Sequence, residues 1–499
     1  MQRKRIFLTP KAAYSVHPWR CPALQKWPSM TQAAPYRMLH LGLGSFHRAH
    51  QALYMHQLQQ SGDRSWVLAG GHIRPDMADT IAALQAQNGA YTLETVTPQS
   101  QRSYTRVESI HTVVPYAPGV PQLVELGADA TTRIVSFTVT EAGYYLDANN
   151  RLDTRAADIL DDLNAARQQR AGHTIYGALT AVLRQRMLRQ AGPVTLLNCD
   201  NLRHNGARAR TGLLQFIELL EDTDLYDWVQ THTTCPNAMV DRITPRPTPE
   251  VAKRVKAATG WDDQAAVMAE SFIQWVMEDN FIAGRPAWEK VGVDMVKSVD
   301  AYEEAKIRLL NATHSCIAWA GTLVGMTYIH EGSLDPEIRQ LAYDYVTQDT
   351  IPVLLPSPID LEKYRDVVLD RFANPAIADT NQRVAMDGFS KIPGFIAPTI
   401  RERLARHASI EAVSMLPALF LAYLHKWHRY EIPYTYQDQA MDEQHAHAVC
   451  NAADTVDAFC RDTVLWGDLA GDARLVQALR SAYTRVGQFT ENRVKGHAA

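Results

Sequence analysis

The chain has 499 residues, 46% of them apolar and 21% charged, with a formal net charge of −4. A chain of this length buries a large core and is expected to divide into two domains. Basic and acidic residues are interspersed, which excludes the concentrated basic surface of a nucleic-acid binder, and no apolar run approaches the roughly 18 residues that span a bilayer.

The first thirty residues contain no apolar stretch ending in small residues, so no secretory signal is expected. Six cysteines, at positions 21, 199, 235, 316, 450 and 460, form no CxxC pair and read as reduced thiols of a cytoplasmic protein. Residues 1–35 carry Pro10, Pro18, Pro22, Pro28 and Pro35 without periodicity and read as a loose extension.

Regular structure is expected to begin with a strand at Arg37–Leu41 that stops at Gly42, followed by a helix from about Ala49 to Leu58. Further strands are expected at Trp66–Ala69, Arg133–Val139 and Val194–Leu197, with helices at Asp158–Ala166 and Ile175–Arg189. Strands alternating with helices imply a mainly parallel sheet covered on both faces. Beyond about residue 290 the pattern becomes helical, at Tyr302–Met326, Pro336–Thr347, Leu361–Phe372, Pro398–His407 and Ile410–His425. The expected architecture is α/β, with a Rossmann-like domain over residues 36–290 and a mostly α-helical domain over 291–499.

The unit Leu39-His40-Leu41-Gly42-Leu43-Gly44-Ser45-Phe46-His47 is a strand, a glycine turn and a helix start. A dinucleotide site needs glycines where the backbone turns sharply and approaches the pyrophosphate. Gly42 and Gly44 fit, but His47 replaces the third glycine of GxGxxG, so an ordinary strand-to-helix turn fits as well. An acidic residue at the end of the second strand would bind the ribose 2′-hydroxyl. None stands there; Asp76 is the nearest carboxylate, and Arg74 could favour a phosphate instead.

The stretch from Tyr302 to Ser315 carries the second chemical signal. On a regular helix Lys306, His314 and Asn311 fall at roughly 0°, 80° and 140°, along one side, with Glu303 one turn before Lys306. Apolar neighbours imply burial, and a buried ammonium is costly unless it is paired or functional. Alcohol oxidation needs a base for the hydroxyl proton and donors for the developing alkoxide. Geometry alone favours Lys306 reaching solvent or pairing with Glu303, leaving Asn311 and His314 as satisfied core polar groups.

These motifs resemble those of the polyol-specific long-chain dehydrogenase/reductase family, the mannitol dehydrogenase group. The resemblance runs from about residue 37 to 490. It rests on Gly42 to His50, on Val240-Asp241-Arg242-Ile243-Thr244-Pro245, on Lys306, Asn311 and His314 as K-x4-N-x2-H, and on Gln382-Arg383-Val384 with Asp387 to Pro393. Cys235 departs from the family's usual phenylalanine or serine. The resemblance implies an NAD-dependent oxidation of a sugar alcohol to a ketose, without a metal. It assigns Lys306 as the base, Asn311 and Asn201 as oxyanion donors, and His314 as the residue that orients the substrate. It further assigns Asp241, Arg383 and Lys391 to the polyol hydroxyls, and Gly42, Gly44, Ser45 and Phe46 to the cofactor, for which position alone adds Asp76 as the candidate carboxylate. Glu303 is a candidate for passing the proton to solvent.

Within the family, Asn198–Asn205 and Thr313–Gly321 are most similar to the branch that interconverts D-arabinitol and D-xylulose with NAD. A sister activity on mannitol, fructuronate or tagaturonate stays open. So do a zinc enzyme, for which His425, His428, His445, His447 and Cys450 are the candidate ligands, and a non-catalytic sugar-binding protein. The expected partner is a polyol or ketose, with no nucleic acid or membrane, in a monomer or weak oligomer.

Overall fold

The strand expected at Arg37–Leu41 forms because its residues are buried from both sides. Met38, Leu39 and Leu41 are almost fully inaccessible, the near-continuous apolar character of a central parallel strand. The computed structural model describes residues 35–147 and 150–496. Residues 1–34 of the extension expected over 1–35 lie outside them.

The strands, in chain order, are β1 (Tyr36–Leu41), β2 (Trp66–Gly71), β3 (Tyr91–Val96), β4 (Arg102–Val107), β5 (Ile110–Val114), β6 (Thr132–Phe137), β7 (Val194–Asn198), β8 (Thr233–Thr234), β9 (Ala238–Asp241), β10 (Val267–Glu270), β11 (Gln274–Glu278) and β12 (Asp294–Val296). The main sheet runs β5-β2-β1-β6-β7-β8, and all its pairs are parallel. Leu39 of β1 stands between Ala69 of β2 and Val135 of β6.

Successive side chains of a strand point to opposite faces, and β1 obeys this. Leu39 and Leu41 enter a core with the helices Ile175–Leu188 and Asn205–Glu218. Met38 enters another with Tyr54, Met55 and Leu58 of the helix Gln51–Gln60 and with Trp275 and Trp288. Strand order reverses between β1 and β6. In such sheets ligands bind beyond the carboxyl ends of the two strands at the reversal.

Two smaller sheets, β10-β3-β4 and β12-β11-β9, accompany the main one. Both are mixed, with β3–β4 and β9–β11 antiparallel. The expected α/β pattern did not contain them. β9 matters most, since it delivers Val240 and Asp241 to the site.

After β12 the chain is helical. The single helix expected over Tyr302–Met326 is three consecutive pieces: α-helix Asp300–Ala305, a π-helical turn Lys306–Asn311, and α-helix Ala312–Leu323. All residues of the last piece except His314 are buried, as befits a helix at the centre of a bundle. Trp319 packs on Phe420 of the helix Met415–His428 at 4.9 Å between ring centres. The described residues from Pro35 onward form one compact unit. Among the described residues no helix is long and apolar enough to cross a membrane.

Candidate active site

At the end of β1, Gly42 has φ +114°, and a Cβ there would sit 2.3 Å from the Thr138 carbonyl oxygen beyond β6. Only glycine fits. Gly44 differs: its φ is −71°, and a Cβ would meet nothing nearer than the Gly42 carbonyl at 3.9 Å. Nothing in the protein demands a glycine at position 44. The bare backbone there leaves room for a close approach from outside, which suits a pyrophosphate. Ser45 and Phe46 follow, both half-buried.

The absent third glycine has a physical counterpart. His47 is fully buried and stacks on His40 at 3.5 Å. His40 Nε2 donates to the Gly42 carbonyl at 3.1 Å, and its Nδ1 accepts from Ser136 Oγ at 2.8 Å. Burial pulls the His40 pKa down to about 3, so the ring braces the turn as a neutral donor and acceptor.

Asp76 is exposed on a short turn (Pro75–Met77), five residues past the end of β2. Arg74 is already engaged: its Nη2 donates to Asp158 Oδ2 and Tyr145 Oη, each at 2.9 Å, and its Nε to the His173 carbonyl.

The second half of the site is built on the π turn. Bonding from i to i+5 sets Asn311 closer to being above Lys306 than a regular helix would. Such turns recur at functional sites. Lys306 is buried (5% exposed). Its Nζ donates to Asn201 Oδ1 at 2.5 Å and to the Val240 carbonyl at 2.6 Å. Burial pushes its pKa down, Asp241 and Glu303 pull it back up, and Arg371 lowers it again; the net direction is down. A neutral amine has two N–H bonds and one lone pair. With both N–H groups given to Asn201 and Val240, the lone pair is left to accept a proton.

Asn201 follows β7 and keeps its amide hydrogens, since only its oxygen is used by Lys306. Asn311 is half-buried. His314 stacks on Phe372 at 4.3 Å, and its Nε2 lies 3.2 Å from Asp379 Oδ2 without the alignment of a hydrogen bond. Burial lowers its pKa, with Asp379 opposing. Arg383, exposed, spends its Nε and Nη2 on Asp379. Lys391 donates to the Val384 carbonyl at 2.5 Å, and burial pulls its pKa down to about 8.

Asp241 is engaged within the protein. Its oxygens were expected to accept polyol hydroxyls, yet Arg371 donates to both at 2.8 Å and the Tyr364 hydroxyl donates to Oδ2 at 3.2 Å. Burial disfavours the Asp241 anion, but Arg371 outweighs it and the pKa falls. Arg371 also donates to both oxygens of Glu270. The structural duty of Asp241 is therefore to tie the helix Leu361–Phe372 to β9 and β10. Glu303 is 4% exposed and accepts from the His204 backbone N–H at 3.1 and 3.2 Å. Burial raises its pKa.

Sequence reasoning missed Arg371, Glu270, Tyr364 and Asp379. Arg371 alone carried a signal, a charge in the expected helix Leu361–Phe372. The candidate zinc ligands do not converge: His428 and His447 bond each other at 2.7 Å, His425 bonds Thr455, and His445 faces Asp462.

The mannitol dehydrogenase Rossmann-domain model matches residues 36–290, and the mannitol dehydrogenase C-terminal-domain model matches 298–487. The chain belongs to the mannitol dehydrogenase family. Within that family it is 59% identical over 452 residues to D-arabinitol 4-dehydrogenase of Ralstonia nicotianae, covering 90% of this chain and 96% of the relative. It is 52% identical to D-arabinitol 4-dehydrogenase of Klebsiella pneumoniae, covering 90% and 98%. Among solved structures, mannitol 2-dehydrogenase of Pseudomonas fluorescens, a ternary complex with NAD and D-mannitol, superposes with TM-score 0.78 at 33% identity over 92% of this chain and 94% of that one.

Proposed function

We propose that this member of the family, an NAD-dependent polyol dehydrogenase, interconverts D-arabinitol and D-xylulose with Lys306 as general base. The observation that carries the mechanism is the buried Lys306 amine, its two N–H groups held by Asn201 Oδ1 and the Val240 carbonyl. The substrate reading rests on the two D-arabinitol 4-dehydrogenases that share 59% and 52% of their aligned residues with this chain.

The cofactor is held at the Gly42–Phe46 turn, where the space beside Gly44 fits a pyrophosphate. Arg74 is occupied by Asp158 and Tyr145, which leaves no ready partner for a 2′-phosphate and favours NAD; Asp76 is the carboxylate on that side. When bound, NAD supplies the acceptor for the hydride leaving the carbinol carbon. Lys306 takes the hydroxyl proton on its lone pair. The amides of Asn201 and Asn311 donate to the oxygen as it gains charge. His314, held between Phe372 and Asp379, orients the neighbouring hydroxyls, and Arg383 and Lys391 bind further ones. Glu303, one turn from Lys306, returns the proton to solvent.

Two measurements test this. A panel of pentitols and hexitols, read as NADH formation, should give its highest kcat/KM with D-arabinitol; a preference for mannitol would overturn the substrate. Lys306→Ala should keep NADH affinity while losing about 10²- to 10⁴-fold in turnover at neutral pH. Near-normal turnover would remove Lys306 as base.

A further inference from the structure

Among the described residues, and outside the groups proposed to face the reacting carbon, one cluster of ligand-type side chains converges. His204 lies in the turn after β7, Asp300 and Glu303 on the first turn of the helix Asp300–Ala305. Their ligand atoms lie within 4.8 Å of one another. His204 Nδ1 is 3.5 Å from Asp300 Oδ1 and 3.9 Å from Glu303 Oε2. Metal–ligand bonds of about 2.0–2.2 Å at tetrahedral angles place neighbouring ligand atoms about 3.3–3.6 Å apart. The first separation meets that requirement. The second exceeds it by a few tenths of an ångström, within the reach of the exposed His204 ring.

We propose that His204, Asp300 and Glu303 form a site for one divalent transition-metal ion of the zinc class, and that an ion bound there blocks the proton exit from Lys306. The imidazole selects for zinc-like ions over magnesium or calcium, which prefer oxygen donors alone. Three protein ligands leave a fourth position for water. Two of the ligands reach solvent, with His204 54% and Asp300 64% exposed, while Glu303 is buried. The ion therefore enters from outside and caps the inner carboxylate. The neighbouring cation Arg203 is turned away, donating to Glu304 at 2.9 Å and to the Gly394 carbonyl at 2.8 Å. The three side chains converge here in a molecule whose chemistry is expected to need no metal.

The site itself stands on geometry; only its inhibitory effect rests on the proposed relay through Glu303. The experiment separates the two. Chelator-treated protein is titrated calorimetrically with zinc chloride, alongside His204→Asn and Asp300→Asn. Asparagine suits the left-handed backbone at 204 (φ +50°), and unchanged NADH binding checks the fold of each variant. Wild type should show one strong zinc site that weakens tenfold or more in both variants, and no comparable heat with magnesium. Equal zinc affinity in all three proteins overturns the site. In turnover assays, zinc that fills the site should inhibit wild type and spare the variants. Equal inhibition of all three would place the zinc effect elsewhere and overturn the proposal. Binding without inhibition would keep the site but remove the blocking role and, with it, Glu303 as the proton exit.

Discussion

Beyond β1 the chain builds its glycine turn from backbone and neutral groups: Gly42 against Thr138, Gly44 with open space beside it, and a neutral His40 bonding the Gly42 carbonyl. Around Lys306 it does the opposite and gathers charge, with Asp241, Glu270, Arg371 and Glu303 all buried. One region depends on shape and, at Gly42, is spoiled by a methyl group. The other works by charge balance, so a change of charge there reaches both the stability of the fold and the basicity of the amine.

The sharpest test of this contrast is Arg371→Met, which leaves two buried carboxylates unpaired. Breaking a buried ion pair costs about 3–5 kcal/mol, to be read from denaturant unfolding. Adding Asp241→Asn and Glu270→Gln should recover part of the loss. A cost near zero would mean that the charges do not join β9 and β10 to the helix Leu361–Phe372.

Next in size are two alanine substitutions only two residues apart. Gly42→Ala must place a Cβ 2.3 Å from the Thr138 oxygen at positive φ, so the protein should lose about 1–3 kcal/mol of stability along with NADH affinity. Gly44→Ala should fold normally and lose NADH affinity alone. Equal NADH binding by Gly44→Ala and wild type would show that the cofactor does not approach the chain there.

A smaller effect concerns pH. With Lys306 as the proposed base, oxidation needs its neutral amine, and turnover should fall as pH drops through its lowered pKa. Glu303 pulls that pKa upward. Glu303→Gln should therefore move the acid limb of kcat to lower pH, by less than about one unit, while Gly44→Ala leaves the limb where it is. A limb unmoved by Glu303→Gln would place the titrating group elsewhere.

The same contrast explains what could be read from the sequence. The β1 run, the Gly42 turn and the α/β-then-helical order are local patterns of period and punctuation, and they emerged as expected. Asp241 and Arg371 are paired across 130 residues, and no local pattern announces such a partner. The resemblance assigned Asp241 to the polyol hydroxyls, and nothing in the sequence pointed to Arg371 beside it. The π turn at Lys306–Asn311 was hidden for a related reason. Its residues suit an α-helix equally well, and the extra residue per turn is a response to packing. The short strands β9 and β12 lacked the length to show alternation.

Lys391 gives the finest measure of the charged region. Burial pulls its pKa from the ordinary 10.5 to about 8, with Asp387 offsetting part of that fall. Below pH 8 the amine is charged in both folded and unfolded chains, and folding bears the full cost of burying it. Between 8 and 10.5 the unfolded chain holds the proton more tightly, so stability rises with pH; above 10.5 the cost is gone. Lys391→Met should accordingly raise the melting temperature at pH 7, by the equivalent of about 1 kcal/mol given its partial exposure. The gain should shrink as pH increases, and the polyol KM should rise. A melting temperature that drops equally at every pH would mean that the lost bond to the Val384 carbonyl outweighs the relief of charge. At this one position, packing would then decide what charge balance decides around Lys306.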